Sequence, residues 1–329
     1  MKLTIIIPVY KVEKYIRRCL SSIFNQGLND MFEVIVVNDG TPDNSIVTVN
    51  EFARQYDNLV LINQCNQGLS VARNTGLARA TGEYIWFVDS DDSISEGSLR
   101  YLINYISNNT ADVIGFDMLA IWESGEREQR MPIVISPQNS DLYGHVLDRR
   151  SIIHKIHTAA VQRFVFRRSF IEKHDLRFLP NIIHEDVDFM GRALFYAQII
   201  RIEKEILYHY LQRTSGSIMA TLDMRSIESR HAILQDLNVF SLQNVSSFSD
   251  KIFMYDYMLK TLLQMLGFGG QEIKENVLRF IKRNSSFYKK IAWHGVIANV
   301  ILLNLKKVIR GLIIALNPTV YFKLYTRNR

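Results

Sequence analysis

Three aspartates stand close together after a short apolar run in the first third of the chain. Residues 84–88 read Tyr-Ile-Trp-Phe-Val, and Asp89, Asp91 and Asp92 follow, with Ser90 between the first two. The run predicts a buried strand with the aspartates on the turn at its carboxyl end. Carboxylates this close repel one another unless a cation neutralises them, and their hard oxygen atoms suit Mg²⁺ or Mn²⁺ shared with a phosphate. A solvated Asp-rich turn or a helix cap is the alternative interpretation.

Strands and helices are predicted to alternate before this turn. The predicted strands are Leu3–Val9, Phe32–Asn38 and Leu59–Asn63, and the predicted helices are Val12–Phe24, Ile46–Tyr56 and Gly68–Ala80. Such alternation predicts a doubly wound α/β sheet, in which ligands bind beyond the carboxyl ends of the strands. The strand ends at Pro8–Tyr10, Asn38–Gly40 and Asp89–Asp92 are expected to meet there.

The composition is that of a globular protein, because 47% of its 329 residues are hydrophobic and 22% are charged. Two cysteines, Cys19 and Cys65, disfavour a disulfide scaffold and suit a reducing cytosol. The first residues lack the features of a signal peptide, so we expect a cytoplasmic protein. The sequence contains no glycine-rich phosphate motif of the P-loop or dinucleotide type.

Four motifs in order resemble those of the family 2 glycosyltransferases, which have the GT-A fold. They are Ile5–Tyr10 (IIIPVY), Val36–Thr41 (VVNDGT), Asn66–Leu77 (NQGLSVARNTGL) and Gly82–Asp92 (GEYIWFVDSDD). The resemblance implies a nucleotide-sugar donor, most often a UDP-sugar, together with a divalent metal and inversion at the anomeric carbon. It is dense up to the aspartate turn and thinner afterwards.

The resemblance also implies where the donor nucleotide binds. Pro8, Tyr10 and Asp39 would frame the nucleoside, and Asn66 and Arg73 would lie near the ribose and the diphosphate. For Asp39 alone, a simple turn residue before a glycine is the alternative. For Arg73 alone, the alternative is an ordinary surface arginine on a helix.

The aspartate turn acquires a specific role from the resemblance. Asp89 and Asp91 would form the D-x-D pair around Ser90 and contact the donor, with Asp91 the more direct ligand of Mn²⁺ or Mg²⁺. Negative charge builds on the leaving nucleoside diphosphate, and a metal at Asp91 can neutralise it as a Lewis acid.

A loop later in the chain resembles the Tyr-x-x-Arg-x-x-Gly-Ser segment of the family. Tyr210–Ser217 reads YLQRTSGS. Arg213 could reach the diphosphate, and the backbone near Ser217 could hold an oxygen atom. An ordinary exposed turn is the alternative.

The candidate general base lies in the stretch 180–190. Inverting transfer needs a group that takes the proton of the acceptor hydroxyl. Glu185 and Asp186 precede an apolar helix, and the family assigns the base to the second residue of such a pair. We therefore predict Asp186 as the base, with Glu185 orienting the substrate. Acids that cap a helix are the alternative, and His184 before them is interpreted as a surface histidine.

The region between these sites gives less information. Residues 122–141 are polar and loop-like, and Leu142–Ala160 is predicted to be helical. The resemblance implies that this middle region builds the acceptor side of the catalytic domain, which we place at residues 1–220. The acceptor would be a glycan or a lipid-linked glycan.

Residues 221–329 are predicted to form a helical, basic C-terminal region. From Gln271 to Arg329 there are 12 Lys and Arg residues and 2 Asp and Glu residues, so the overall charge of +6 originates here. Lys306, Lys307 and Arg310 interrupt an apolar stretch and disfavour a membrane-spanning helix.

These three cations are spaced to share one helix face. This spacing favours an interfacial helix on anionic lipid, with Tyr321, Phe322 and Tyr325 as anchors and the protein peripheral on the inner face of the membrane. A helical subdomain that packs on the sheet is the alternative. Nucleic acid is not an expected partner, because the acidic cluster occupies the evident groove.

The prediction for the whole chain is therefore a metal-assisted, inverting glycosyltransferase. A metal-dependent nucleotidyltransferase is one rival, but it would need a basic glycine-rich loop after its first strand, where this chain has Pro8–Lys11. A non-catalytic module that binds glycans or nucleotide sugars is the other rival. A missing base would favour that module, but Asp186 is present.

Overall fold

The computed structural model describes residues 1–152, 155–156, 160–214, 224–267, 274–301 and 305–325. The chain divides into two compact units, one of Met1–Asn181 with Tyr196–Ser215 and one of Ile182–Phe195 with Gly216–Arg329. The domain boundary predicted between residues 220 and 221 falls outside the described residues. Residues 182–195 group with the C-terminal helices, although the predicted catalytic domain included them.

The first unit is built on a mixed sheet, with ten strands in the described residues. The strands are β1 (Leu3–Val9), β2 (Phe32–Asp39), β3 (Leu59–Gln64), β4 (Tyr84–Phe87), β5 (Ser93–Ile94), β6 (Val113–Trp122), β7 (Glu128–Met131), β8 (Val146–Leu147), β9 (Phe164–Arg167) and β10 (Ile200–Gln212). The main order is β3-β2-β1-β4-β9-β6-β10-β5, and β7 pairs with β6 and β8 with β10. The first four strands are parallel, whereas β9 runs antiparallel between β4 and β6.

Helices cover both faces of the parallel part of the sheet. The helices of this unit are α1 (Ile16–Phe24), α2 (Ser45–Gln55), α3 (Leu69–Leu77), α4 (Ser98–Asn108), α5 (Arg149–Ile152) and α6 (Arg168–Lys173). On one face, Ile5 and Val34 share a buried cluster with apolar residues of α1 and α4. On the other face, Val37 packs with Ala72 of α3. Because successive side chains of a strand point to opposite faces, both faces need apolar residues, and the predicted doubly wound sheet is confirmed.

Two predicted helices differ from the structure. α1 begins at Ile16 rather than Val12, because Lys11 adopts a φ of 54° and the N–H of Glu13 donates to Oδ2 of Asp43 at 3.0 Å. The helix predicted over Leu142–Ala160 is wrong for most of its length, since the described residues there include the end of a 3-10 helix at Leu142, the strand β8, the single turn α5 and an isolated bridge at Ile156.

The second unit is helical in its described residues. Its helices are α7 (Glu185–Tyr196), α8 (Met224–Asn244), α9 (Phe248–Gly267), α10 (Lys274–Arg283), α11 (Ser285–Ile301), α12 (Leu305–Leu316) and α13 (Pro318–Tyr325), with the last residue of α7 assigned to the first unit. Leu237, Met258, Leu262 and Ile281 are fully buried in its core. The predicted C-terminal helices are confirmed. Within the described ranges, every helix is too short or too polar to span a bilayer.

Part of the predicted lipid-binding face, which extends over α12 and α13, is covered by the rest of the unit. Lys307 does not join Lys306 on the surface, because its Nζ lies 2.7 Å from Oδ1 of the buried Asp256 on α9. Tyr321 and Phe322 are buried in the same unit, so they cannot serve as membrane anchors. Helical spacing alone does not reveal which positions of a helix its neighbours cover.

Candidate active site

The carboxyl ends of three parallel strands meet at one edge of the sheet, as the sequence predicted. β1 lies between β2 and β4, with Val9 opposite Asn38 and Ile6 opposite Phe87. The residues that follow these strands, including the turn 89–92, are therefore neighbours. This edge is where open α/β sheets bind their ligands.

Asp89 is held by an arginine and a glutamine. Nη2 of Arg73 donates to Oδ1 at 2.7 Å, and the side-chain amide of Gln162 donates to Oδ2. The Arg73 side chain is only 1% exposed, and its guanidinium carbon lies 5.2 Å from the ring centre of Phe178. The interpretation of Arg73 as a surface residue is therefore wrong. Gln162 was not predicted, because it belongs to a short 3-10 helix without a motif.

Asp92 ties the aspartate turn to β10. Its Oδ2 accepts a hydrogen bond from the hydroxyl of Tyr208 at 2.6 Å, and its Oδ1 accepts one from the N–H of Leu211 at 2.7 Å. The same hydroxyl accepts the N–H of Asp89 at 3.1 Å. Burial raises the pKa of Asp92 well above its usual range, and the charge of Asp91 raises it further. Since both of its oxygens are engaged, Asp92 positions the turn.

Asp91 forms an ion pair with Arg213, the residue that follows β10. Nη2 of Arg213 lies 2.6 Å from Oδ2, and the guanidinium carbon lies 5.2 Å from the ring centre of Tyr15. Burial raises the pKa of Asp91, and the neighbouring Asp89 raises it further, whereas Arg213 lowers it. A buried carboxylate beside another carboxylate is stabilised in its charged form by a cation. In this structure the guanidinium of Arg213 supplies that cation.

A glutamate fixes the backbone next to Arg213. Glu123 accepts hydrogen bonds from the N–H and the hydroxyl of Thr214 at 2.9 and 2.8 Å, and from the hydroxyl of Tyr15 at 2.7 Å. These hydrogen bonds lower the pKa of Glu123 to about 2. Ser217, which was predicted to act with Arg213, lies outside the described residues.

Asp39 shapes the entrance to α3. Its carboxylate accepts the N–H groups of Gln67 and Gly68 at 2.8 Å each, and the side-chain amide of Gln64 at 2.7 Å. Gly68 is the residue before α3, so this carboxylate stabilises the first turn of that helix. Asp39 is more than the simple turn residue of the alternative interpretation.

The other residues predicted at the nucleoside differ in exposure. Pro8 is buried within β1, whereas Tyr10 and Asn66 are exposed beyond the strand ends. Gly40 has a φ of 64°, and a Cβ there would stand 2.8 Å from the backbone nitrogen of Asn66. Glycine at this position therefore allows the loops after β2 and β3 to approach each other.

The predicted base lies on α7, in the second unit. Glu185, Asp186 and Asp188 stand in the first turn of this helix. Glu185 and Asp188 are buried, whereas Asp186 is partly exposed. Oδ2 of Asp188 accepts a hydrogen bond from Nε of Arg192 at 3.0 Å, and burial raises the pKa of Asp188 to about 6. Of these three acids, Asp186 is the most accessible to a substrate.

A buried arginine and a histidine lie close to the start of α7. Arg230 of α8 is buried; burial lowers its pKa, and the charge of Asp186 raises it. Nε2 of His184 lies 2.9 Å from the hydroxyl of Ser226. His184 is therefore a partly buried, hydrogen-bonded residue, and its interpretation as a surface histidine is wrong.

The environment of His184 predicts a pH effect on stability. Burial, reinforced by the charge of Arg230, lowers the pKa of His184 from its ordinary value of 6.5 to about 4. As pH falls, the unfolded chain binds a proton at this site before the folded chain does, so the free energy of unfolding decreases between pH 6.5 and 4. His184→Gln, which keeps a neutral partner for Ser226, is expected to make that decrease smaller.

Denaturant unfolding of both proteins, above and inside this pH window, measures the effect. The other histidines are common to both proteins, so the difference between them isolates His184. An equal or larger decrease in His184→Gln would contradict the prediction.

The acidic cluster fits a divalent cation. Oxygen atoms of Asp89, Asp91 and Asp92 lie within 4.8 Å of one another. A carboxylate oxygen has two acceptor positions, so the single hydrogen bonds from Arg73 and Gln162 leave room for a ligand bond at Asp89. The oxygens of Asp91 and Asp89 are hard donors of the kind that Mg²⁺ and Mn²⁺ prefer.

Comparison with known proteins defines the class. The sequence model of Glycosyl transferase family 2 matches residues 4–175. The chain is 30% identical over 258 residues to the uncharacterized glycosyltransferase YibD of Escherichia coli (strain K12), which covers 77% of this chain and 74% of that protein. The chain therefore belongs to glycosyl transferase family 2 and is a glycosyltransferase, as the motifs predicted.

Two further proteins are similar to the chain. A poly(ribitol-phosphate) beta-glucosyltransferase of Bacillus spizizenii is 30% identical over 224 residues, which cover 67% of this chain but only 34% of that protein. The crystal structure of S. aureus TarS 1–349 in complex with UDP-GlcNAc superposes with a TM-score of 0.70 at 19% identity, covering 100% of this chain and 93% of that chain. This similarity of structure confirms the predicted GT-A fold.

Proposed function

We propose that this chain transfers a sugar from a UDP-sugar to a hydroxyl group of a glycan or lipid-linked glycan, with inversion at the anomeric carbon. The observation that carries the proposal is the cluster of charges at the carboxyl end of β4, where Asp89 pairs with Arg73 and Asp91 pairs with Arg213. The leaving group is a diphosphate, and cations at this edge oppose its growing negative charge.

The nucleoside is proposed to bind at the ends of β1, β2 and β3. Tyr10 presents an exposed aromatic ring there, and Asn66 presents an exposed amide. Asp39 holds the backbone between β3 and α3, and Pro8 stiffens the end of β1. Uridine is the preferred nucleoside because UDP-GlcNAc is bound in the structurally similar TarS.

The diphosphate is proposed to bind at the aspartate turn. Asp91, with Asp89 beside it, would hold Mn²⁺ or Mg²⁺, which supplies Lewis-acid stabilisation of the leaving diphosphate. Ser90 between them contacts the donor. Arg213 exchanges its ion pair with Asp91 for one with the diphosphate, since a phosphate oxygen is an equally good acceptor for a guanidinium.

The acceptor is activated by Asp186 in this proposal. Its carboxylate takes the proton as the hydroxyl oxygen bonds to the anomeric carbon and UDP departs with the electrons of the broken bond. Glu185 orients the substrate. The partial exposure of Asp186, next to the buried Asp188 with its Arg192 partner, supports this choice of base. The name of the Bacillus spizizenii relative, a poly(ribitol-phosphate) beta-glucosyltransferase, supports a polymeric acceptor that carries hydroxyl groups.

The first test is a thermal-shift screen of nucleotide sugars with and without Mn²⁺. A ligand that binds only the folded protein raises the melting temperature by mass action. We expect stabilisation by a UDP-sugar, strengthened by Mn²⁺, followed by acceptor-dependent release of UDP in a turnover assay. A folded protein that no nucleotide sugar stabilises would contradict the proposal.

Arg213→Ala is expected to weaken UDP binding by about 10- to 100-fold, because a charge-assisted hydrogen bond to phosphate contributes about 1.5–3 kcal/mol. Isothermal titration with UDP and Mn²⁺ measures the change. Arg17→Ala is the matched control, because Arg17 also pairs with an acid of this unit, Glu51, but lies on the surface of α1. Tighter UDP binding by Arg213→Ala would contradict this prediction, because it would mean that Arg213 competes with the metal for Asp91 and does not bind the diphosphate.

A further inference from the structure

The second unit presents exposed apolar side chains on two helices that pack together. On α11, Trp293 is 53% exposed, and Ile297 is also exposed one turn later. On α12, Leu316 is 76% exposed, and Ile309 is exposed two turns earlier. Residues four or seven apart share one face of a helix, so each pair forms a stripe. We define the α11–α12 surface as these four residues together with the exposed basic residues of the same helices, Lys289, Lys290, Lys306 and Arg310.

The rest of the unit does not cover the exposed stripe of α12. Gly311 packs against α11, since a Cβ there would stand 2.7 Å from Cγ2 of Val296. Lys307 reaches α9 through its ion pair with Asp256. Contacts on these sides fix α12 to the unit, and Ile309 points to solvent.

The charges around the α11–α12 surface have one sign. Among the side chains of α10 to α12 whose burial the structure describes, the exposed ionic ones are all basic: Arg279, Lys282, Arg283, Lys289, Lys290, Lys306 and Arg310. No Asp or Glu follows Glu275 in the sequence. A purely cationic surface has its electrostatic complement in an anionic partner.

A second apolar patch in the same unit lacks this charge. Leu242 is 72% exposed near the end of α8, and Phe248 is 67% exposed at the start of α9. Next to Phe248 stand one acid and one base, Asp250 and Lys251. Exposed apolar side chains are therefore found in both patches. The α11–α12 surface differs from the patch at Leu242 and Phe248 because basic residues surround its apolar side chains.

We propose that the α11–α12 surface binds the anionic face of a lipid bilayer. Trp293 and the three aliphatic side chains enter the boundary between headgroups and acyl chains, where an indole ring is favoured at a polar–apolar interface. The lysines and Arg310 contact lipid phosphates. The inference concerns this unit alone and does not depend on the sugar-transfer chemistry.

Vesicle sedimentation of the full chain tests the proposal. We expect binding to vesicles of phosphatidylglycerol and phosphatidylcholine, little binding to phosphatidylcholine alone, and weaker binding as salt is added. Replacing Lys289 and Lys290 together by glutamine is expected to weaken binding by about thirtyfold, and Trp293→Ala by about tenfold. Lipids brominated in the acyl chains should quench tryptophan fluorescence, and Trp293→Phe should remove most of the quenching, because Trp86 is buried and Trp122 belongs to β6 of the first unit.

The matched control is Leu242→Ser with Phe248→Ser, which removes two strongly exposed apolar side chains that lie outside α10 to α12. This variant is expected to bind vesicles like the wild type. Equal binding to neutral and anionic vesicles would overturn the proposal, as would no binding at all. A loss of binding in the control variant would also overturn it. The proposal would also be overturned if Trp293→Ala lost self-association in sedimentation velocity but still bound vesicles. In that case the surface would join two copies of the chain.

Discussion

Asp91→Asn is expected to lower kcat/KM for sugar transfer by about a thousandfold or more, which is the scale of losing a main electrostatic contact to the leaving group. The stabilisation by Mn²⁺ with a UDP-sugar should disappear as well. Asparagine keeps the shape of the side chain but removes the charge that attracts a divalent cation. Turnover assays and thermal shifts on the same preparations measure both effects.

The same variant should be at least as stable as the wild type. Burial and the charge of Asp89 raise the pKa of Asp91 in the folded state. A carboxylate whose pKa is raised in the folded state makes folding less favourable once the pH exceeds the pKa that it has in the unfolded chain. Replacing the carboxylate by an amide removes that cost. Loss of activity together with an unchanged or higher melting temperature would be the signature of a functional carboxylate.

Asp57→Asn provides the control for this experiment. Asp57 is an exposed aspartate of the same unit, outside the cluster of carboxylates. Its replacement should leave transfer and metal-dependent stabilisation unchanged. Full activity in Asp91→Asn with Mn²⁺-dependent stabilisation intact would exclude Asp91 as the metal ligand.

Asp186→Asn is expected to lower kcat by about 100- to 10,000-fold, which is the usual contribution of a general base. Binding of UDP-sugar should stay close to that of the wild type, because the donor is proposed to bind at residues of the first unit. The amide of asparagine cannot take the proton of the acceptor hydroxyl. Steady-state kinetics with saturating donor, paired with donor titrations, separate the two quantities.

Asp188→Asn, in the same turn of α7, is the matched control for the base. Asp188 is fully buried and pairs with Arg192, so its replacement should change the stability of the protein more than kcat. If Asp188→Asn lowered kcat as much as Asp186→Asn did, the effect would come from a disturbed α7 and not from a missing base. Unchanged kcat in Asp186→Asn would place the base at another residue.

Local sequence was sufficient for the parallel half of the sheet and for the edge that carries the aspartates. β1, β2 and β4 are short apolar runs because both faces of a parallel sheet are buried. Burial on both faces requires apolar side chains at consecutive positions, and such a run is visible in the sequence. The motifs that end these strands are also continuous in sequence. Asp39 and Asp89–Asp92 could therefore be placed at one edge without coordinates.

The partners of those aspartates depended on the tertiary structure. Gln162 reaches Asp89 from a point 73 positions along the chain, and Tyr208 reaches Asp92 across 116 positions. No local pattern marks such residues, because a single glutamine or tyrosine is chemically unremarkable until the fold brings it to a carboxylate. The same is true of Glu123, which fixes Thr214 beside Arg213 across 91 positions.

The sequence by itself determined the fold class, the glycosyltransferase family and the acidic edge of the sheet, since periodicity and contiguous motifs encode them locally. Only the tertiary structure decided which charges are buried. Arg73 and Lys307 both occupy helical positions that suggested a surface residue, yet each pairs with an aspartate of another element, Asp89 or Asp256. The physical reason is that burial of a charge depends on which neighbours pack over it, and those neighbours come from distant parts of the chain.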